Sequence, residues 1–168
     1  MATESTTMVG GTMNNINTKQ LLNDFPEFFK HQEDPMTLFM ASGFECGDGW
    51  HQLIHNLCED INDHYRGVIP TDFYVVQVKE KYGSLRFYTT GTTQEVLDLI
   101  HTAELASYSI CEDCGQPGQY RDKLGYIQTL CDTCLDKYYM KLYSRVRSAK
   151  EDFISEWQKD NGAPYKEG

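Results

Sequence analysis

Two short strings of the sequence, CEDC at 111–114 and CDTC at 131–134, offer the same chemistry. Each holds two thiols with two residues between them, and 16 residues lie between the pairs. Two intervening residues let both sulfurs of a pair turn toward one point, and two such pairs supply the four tetrahedral sulfur ligands of a closed zinc site. Gly115 behind the first pair permits a tight turn, and QYRDKLGYIQTL can fold back as a hairpin around Gly125. The second pair stands where a long helix should begin, so helix-end amides can stabilise thiolate charge. The layout is that of a treble clef or zinc ribbon. A redox dithiol needs only one pair, and iron–sulfur runs space their cysteines differently. Cys111, Cys114, Cys131 and Cys134 are therefore expected to hold a structural Zn2+, with no open position for activating a water. Cys46 and Cys58 stand apart and are expected as buried, small apolar residues.

A second concentration of chemistry is cationic. VKEKYGSLRFY, 78–88, carries Lys79, Lys81 and Arg86 in a chain of formal net charge −10. With Tyr82-Gly83 as a hairpin turn, residue 81 pairs with 84, 79 with 86 and 77 with 88. Alternation puts Val76, Val78, Leu85 and Phe87 on one face, and Gln77, Lys79, Lys81, Arg86 and Tyr88 on the other. Lys79 then stands opposite Arg86, and facing like charges destabilise a strand pair. Two things could offset the repulsion. One is solvent with neighbouring acidic side chains. The other is an anion held between the cations, with Gln77 and Tyr88 as neutral donors and Tyr82 or Trp50 as a stacking surface for a base. His51, His55 and Glu59, spaced by four, have a metal-ligand spacing, but there is no HExxH and all three project from the polar side of their helix. The sequence contains no GxxxxGK[ST] or GxGxxG phosphate loop, and no catalytic set stands out.

These groups call for an α+β scaffold: a small antiparallel hairpin or sheet packed with helices, a finger, and a long C-terminal helix. Residues 1–17, rich in Thr, Asn and Gly, read as a mobile tail; 18–110 as the α+β core; 111–137 as the finger; and 138–168 as the C-terminal helix and tail, in one compact domain. Within the core, TKQLLNDFPEFFK predicts a helix opening at Thr18 and interrupted by Pro26. Leu38, Phe39, Met40 and Phe44 form an exposed-looking apolar cluster. Asp48 can cap the next helix, whose stripe is Trp50, Leu53, Ile54, Leu57, Ile61 and Tyr65, with Gly67 and Pro70 ending it. Thr92 to Glu95 matches a capping box, predicting a helix to about Tyr108 that buries Val96, Leu99, Ile100 and Ala103. The last helix, 132–160, carries Leu135, Tyr139, Leu142, Val146, Ala149, Phe153 and Trp157 at heptad-like steps. That seam either packs on the protein's own core or meets a partner, including a second copy through 135–157.

The bulk properties narrow the function classes. The chain has 168 residues, 40% of them apolar and 12% aromatic, which suits a folded domain and argues against wholesale disorder. No apolar run reaches the roughly 18 residues of a membrane span. MATESTTMVGGTMNN has neither the basic start nor the apolar core of a signal peptide, so a cytoplasmic protein is expected. The net charge argues against broad nucleic-acid binding, which depends on clustered Lys and Arg.

Three segments, GFECGDGW (43–50), VQVKEKYGSLRFY (76–88) and CEDCGQPG…LCDTC (111–134), carry a resemblance. Together they resemble a family of small proteins encoded by tailed bacteriophages and prophages, over roughly residues 20–136 and in the same order. The resemblance implies an origin and an architecture but no reaction. Many members carry CDxH in the second half-site, where this chain has Cys134; either residue can ligate zinc. The expected function is that of a non-enzymatic phage accessory protein in the cytoplasm of an infected bacterium. It would bind a host protein or sequester an anionic small molecule such as a nucleotide. The alternatives are a nucleotide-processing enzyme using Lys79, Lys81 and Arg86 for phosphate, and a zinc-finger regulator that binds nucleic acid.

Overall fold

The computed structural model describes residues 11–31, 43–122 and 127–161. The fold is α+β. By its internal contacts the chain divides into two compact units, residues 1–131 and residues 132–168.

The first unit opens with helix α1, Asn15–Asp24. It starts earlier than the sequence suggests, because the Asn14 side chain accepts from the Ile16 and Asn17 amides at 2.8 and 2.9 Å and caps it there. Met13 is buried, and its amide donates to the Phe44 carbonyl. Residues 11–17 are thus part of the fold rather than a tail. Pro26 follows the helix end, since its ring cannot continue the turn. Of the apolar cluster expected to be exposed, Leu38, Phe39 and Met40 lie outside the described residues. Phe44 is buried, its ring 5.4 Å from that of Phe29.

Phe44–Glu45 forms β1, and a 3-10 turn at Asp48–Trp50 leads into α2, His51–His64. Trp50, Ile54, Leu57 and Ile61 of the predicted stripe are buried, with Cys58 beside them, while Leu53 and Tyr65 are only half-buried against the core. Asp48 does not cap this helix. Its carboxylate accepts from the Asn14 amide at 2.8 Å and the Asn17 side chain at 2.9 Å, fastening the start of α1 instead.

Strands β2, Tyr74–Lys81, and β3, Ser84–Thr90, pair in the predicted register: Lys81 with Ser84, Lys79 with Arg86 and Gln77 with Tyr88. Tyr82 and Gly83 both have positive φ, 55° and 78°, the backbone of a tight two-residue hairpin. A bulge between Val75 and Gln77 shifts the alternation. Val75 and Val78 therefore enter the core and Val76 is only half-buried, where strict alternation placed Val76 inside. Strand β1 adds to β2 in parallel, with Phe44 beside Val78 and Glu45 beside Lys79.

Helix α3, Gln94–Ser107, buries Val96, Ile100 and Ala103. Its cap is Thr93, accepting from the Val96 amide, one residue beyond the Thr92 expected from the pattern. A separate two-stranded sheet follows, β4 at Gln119–Arg121 against β5 at Gln128–Leu130. Cys46 and Cys58 are buried in the core, as expected. The second unit is dominated by α4, Asp132–Asn161.

Candidate metal centre

The first cysteine pair sits on a tight turn. The Gly115 amide donates to the Cys111 carbonyl at 2.9 Å, and the Cys111 amide donates to the Gln116 carbonyl at 2.7 Å. Gly115, at φ +76°, takes the left-handed conformation that closes such a knuckle. The second pair spans the end of β5 and the first turn of α4, so Cys131 and Cys134 stand one helical turn apart. All four sulfurs lie within 4.8 Å of one another. Cys114 Sγ and Cys131 Sγ are 3.6 Å apart and neither is in a disulfide. That is far too long for a disulfide, but near the sulfur–sulfur edge of about 3.8 Å that Zn–S bonds of about 2.3 Å give in a tetrahedron. Burial pushes the Cys111 thiol up, while the backbone amides of Cys131, Cys114 and Asp113 pull it back toward the thiolate that a metal requires. Amides aimed at a ligating sulfur are the outer support such a site needs. The donor set fits a metal ion.

The knuckle is built into the rest of the first unit, chiefly through the corner that precedes α2. The Gly49 amide donates to the Glu112 carbonyl at 2.7 Å, the Gly47 amide to Glu112 Oε1 at 3.0 Å, and Trp50 Nε1 to the Ile110 carbonyl at 2.9 Å. A Cβ on Gly49 would collide with the Cys111 carbonyl oxygen and the Gly115 nitrogen, and would lie 2.6 Å from the Cys114 nitrogen. On the other side, Thr129 Oγ1 donates to the Gly83 carbonyl at 2.6 Å, and the Glu112 amide donates to the Thr129 carbonyl at 2.9 Å. The hairpin tip and the 47–50 corner thus both bond to finger residues. Glu112 was not singled out in the sequence, where a carboxylate inside CEDC reads as solvated. It is buried, and burial raises its pKa to about 8. The two glycines flanking Asp48 were the available signal of close backbone approach.

The cationic ribbon has the predicted face but engaged members. Gln77 Nε2 donates to Glu45 Oε2 at 2.8 Å. Arg86 donates to Ser84 Oγ and the Leu85 carbonyl at 2.6 and 2.7 Å, with Glu104 at 4.0 Å. Lys79 Nζ lies 5.5 Å from the centre of the Tyr88 ring and Lys81 Nζ 5.4 Å from that of Tyr82, both cation–π distances. Glu45 and Glu104 therefore flank the like-charged pair. Trp50 is fully buried and, contrary to expectation, offers no ring face to a base.

His55 lies between Asp24, at 3.2 Å, and Glu59, at 3.5 Å, in a cleft of about 490 Å³ lined also by Asp60 and Asp63. The acidic lining repels phosphate. Burial lowers the His51 pKa, and neighbouring His55 adds to the effect. Among the described residues the four cysteines form the one group of three or more ligating side chains close enough to share an ion. No described helix is long and apolar enough to cross a membrane. No protein family matches the sequence, and neither a curated protein nor a solved structure matches the chain.

Proposed function

We propose that the chain is a phage-encoded, non-enzymatic accessory protein of the infected bacterial cytoplasm, stapled by a structural Zn2+ on Cys111, Cys114, Cys131 and Cys134. One observation carries this reading: the four sulfurs converge on a knuckle whose backbone is bonded to the 47–50 corner and to Thr129, whose side chain in turn holds the hairpin tip. An all-cysteine set leaves zinc no open position, so its contribution is to stability. What the staple holds rigid is the cationic ribbon. Lys79 over Tyr88 and Lys81 over Tyr82 present charge beside half- to two-thirds-exposed rings, 41% and 65%, a surface suited to an anionic small molecule or an acidic face of a host protein. Arg86, bonded to Ser84 and Leu85, orients the ribbon more than it contacts a ligand. The resemblance to phage and prophage proteins supports the origin.

The test is metal analysis of protein purified without added zinc, followed by thermal-shift screening of nucleotides and capture from bacterial lysate. One zinc per chain is expected, with a ligand returned chemically unchanged after denaturation. Binding should fall in a Lys79→Ala/Lys81→Ala variant. A natively folded, metal-free protein, or a ligand returned altered, would overturn the reading.

A further inference from the structure

The middle of the α4 apolar seam is exposed, while Leu135 and Trp157 at its ends are half-buried. Tyr139, Leu142, Val146 and Phe153 are 45%, 44%, 61% and 57% accessible, although their heptad spacing is that of a buried face. The helix is also polarised in charge. Lys137, Lys141, Arg145, Arg147 and Lys150 fall in 137–150 with no acidic residue among them, and Glu151, Asp152 and Glu156 follow. We propose that α4 pairs antiparallel with α4 of a second copy of this chain.

The register follows from the heptad. With Val146 and Phe153 at a positions and Leu142 and Ala149 at d positions, antiparallel packing opposes a to d. Val146 then meets Ala149 of the second copy, and Leu142 meets Phe153, so two layers of smaller side chains at the centre are flanked by two of larger ones. The flanking positions decide the direction. Antiparallel packing sets each g residue beside the other chain's g residue, which places Arg145 beside Asp152, twice by symmetry. Parallel packing sets g beside e, which places Arg145 beside Lys150, also twice. Attraction at both sites in one arrangement and repulsion at both in the other selects the antiparallel pair. Arg145 and Asp152 are exposed, and the ion pair of Arg147 with Glu151, at 2.9 Å, lies within one helix.

The experiment is sedimentation equilibrium on the zinc-loaded full chain across a concentration series to about 0.1 mM. A dimer of two 19.4 kDa chains is expected. Val146→Asp should abolish it. Arg145→Asp should weaken it about ten-fold, and adding Asp152→Arg should restore it. Helical circular dichroism of each variant verifies that these surface changes leave α4 formed. A chain that stays monomeric throughout, or a dimer indifferent to Val146→Asp, overturns self-pairing. A dimer that Arg145→Asp tightens overturns the antiparallel direction, because that is the parallel result.

Discussion

Replacing Gly49 by alanine separates packing from propensity, because the two predict opposite signs. Gly49 lies in the 3-10 turn before α2 and has no positive φ, so its backbone is open to any L-residue. On propensity alone, alanine should stabilise the turn by up to about 1 kcal/mol. In the folded chain, however, the new Cβ meets three backbone atoms of the cysteine knuckle, none of which can rotate away. The knuckle must lift, and three hydrogen bonds weaken: Gly49 N–H to Glu112 O, Gly47 N–H to Glu112 Oε1, and Trp50 Nε1–H to Ile110 O. At about 1 kcal/mol each, the loss is roughly 3 kcal/mol, and the net cost after propensity is roughly 2 kcal/mol. For a domain of this size that lowers Tm by about 4–8 °C. The control is Gly67→Ala, at φ +74° with open space around it, which should cost about 1 kcal/mol through backbone strain alone. Denaturant melts of the zinc-loaded proteins, with zinc release to a chromogenic chelator, give the two readouts. Gly49→Ala should be the less stable variant and the faster to release metal. If it is as stable as the unsubstituted protein, the docking of the knuckle on this corner is wrong.

Stripping the metal should do more. Structural zinc is worth roughly 10–16 kcal/mol, more than most domains have in total, so a chelator should unfold the 111–134 segment and lower the melting transition; an unchanged melt would refute this. Thr129→Val removes the donor to the Gly83 carbonyl and leaves that acceptor buried, at a cost of about 1–3 kcal/mol by denaturant titration. Glu112 has its pKa raised from 4.5 to about 8, so the folded state holds its proton over that interval while the unfolded state has lost it. Its contribution is therefore full below about pH 4.5 and is lost as pH rises through about 8. Glu112→Gln should flatten the fall in stability between pH 6 and 8, measured relative to the unsubstituted protein with zinc bound to both; parallel profiles would refute the shift.

The parts of the fold that were legible in the sequence are those set by local chemistry. Tyr82-Gly83 between two alternating runs defined the hairpin register to the residue, and the stripe from Trp50 to Ile61 defined α2. What was not legible depends on contacts distant in sequence. Asp48 has the chemistry of a cap for its own helix, yet its carboxylate is taken by Asn14 and Asn17, 34 and 31 residues away. The Val75–Gln77 bulge moved Val76 out of the core, and no turn residue announced it. The cysteine spacing predicted four converging sulfurs, and they converge; the seat beneath them was missed, since its parts are two glycines and a glutamate that look unremarkable alone. The α4 seam shows the limit of periodicity, which reveals an apolar face without saying what covers it.

The segments GFECGDGW, VQVKEKYGSLRFY and CEDC…CDTC meet in one joint. GFECGDGW supplies Gly47, Gly49 and Trp50, the hairpin supplies Gly83, and CEDC with the strand before CDTC supplies Glu112, Cys111 and Thr129. Each is held by a backbone bond or by a space that admits no Cβ. In this structure these residues dock the finger. Any binding surface must be built from side chains that neither the joint nor the contacts of Gln77 and Arg86 engage, which on this ribbon are Lys79, Lys81, Tyr82 and Tyr88. Lys79, Lys81 and Tyr88 project from the strands, and Tyr82 from the turn, that the finger clamps, so loss of metal should loosen the surface before it unfolds the sheet. A ligand bound there should accordingly slow zinc release in proportion to its occupancy, while one bound elsewhere should leave the release rate unchanged.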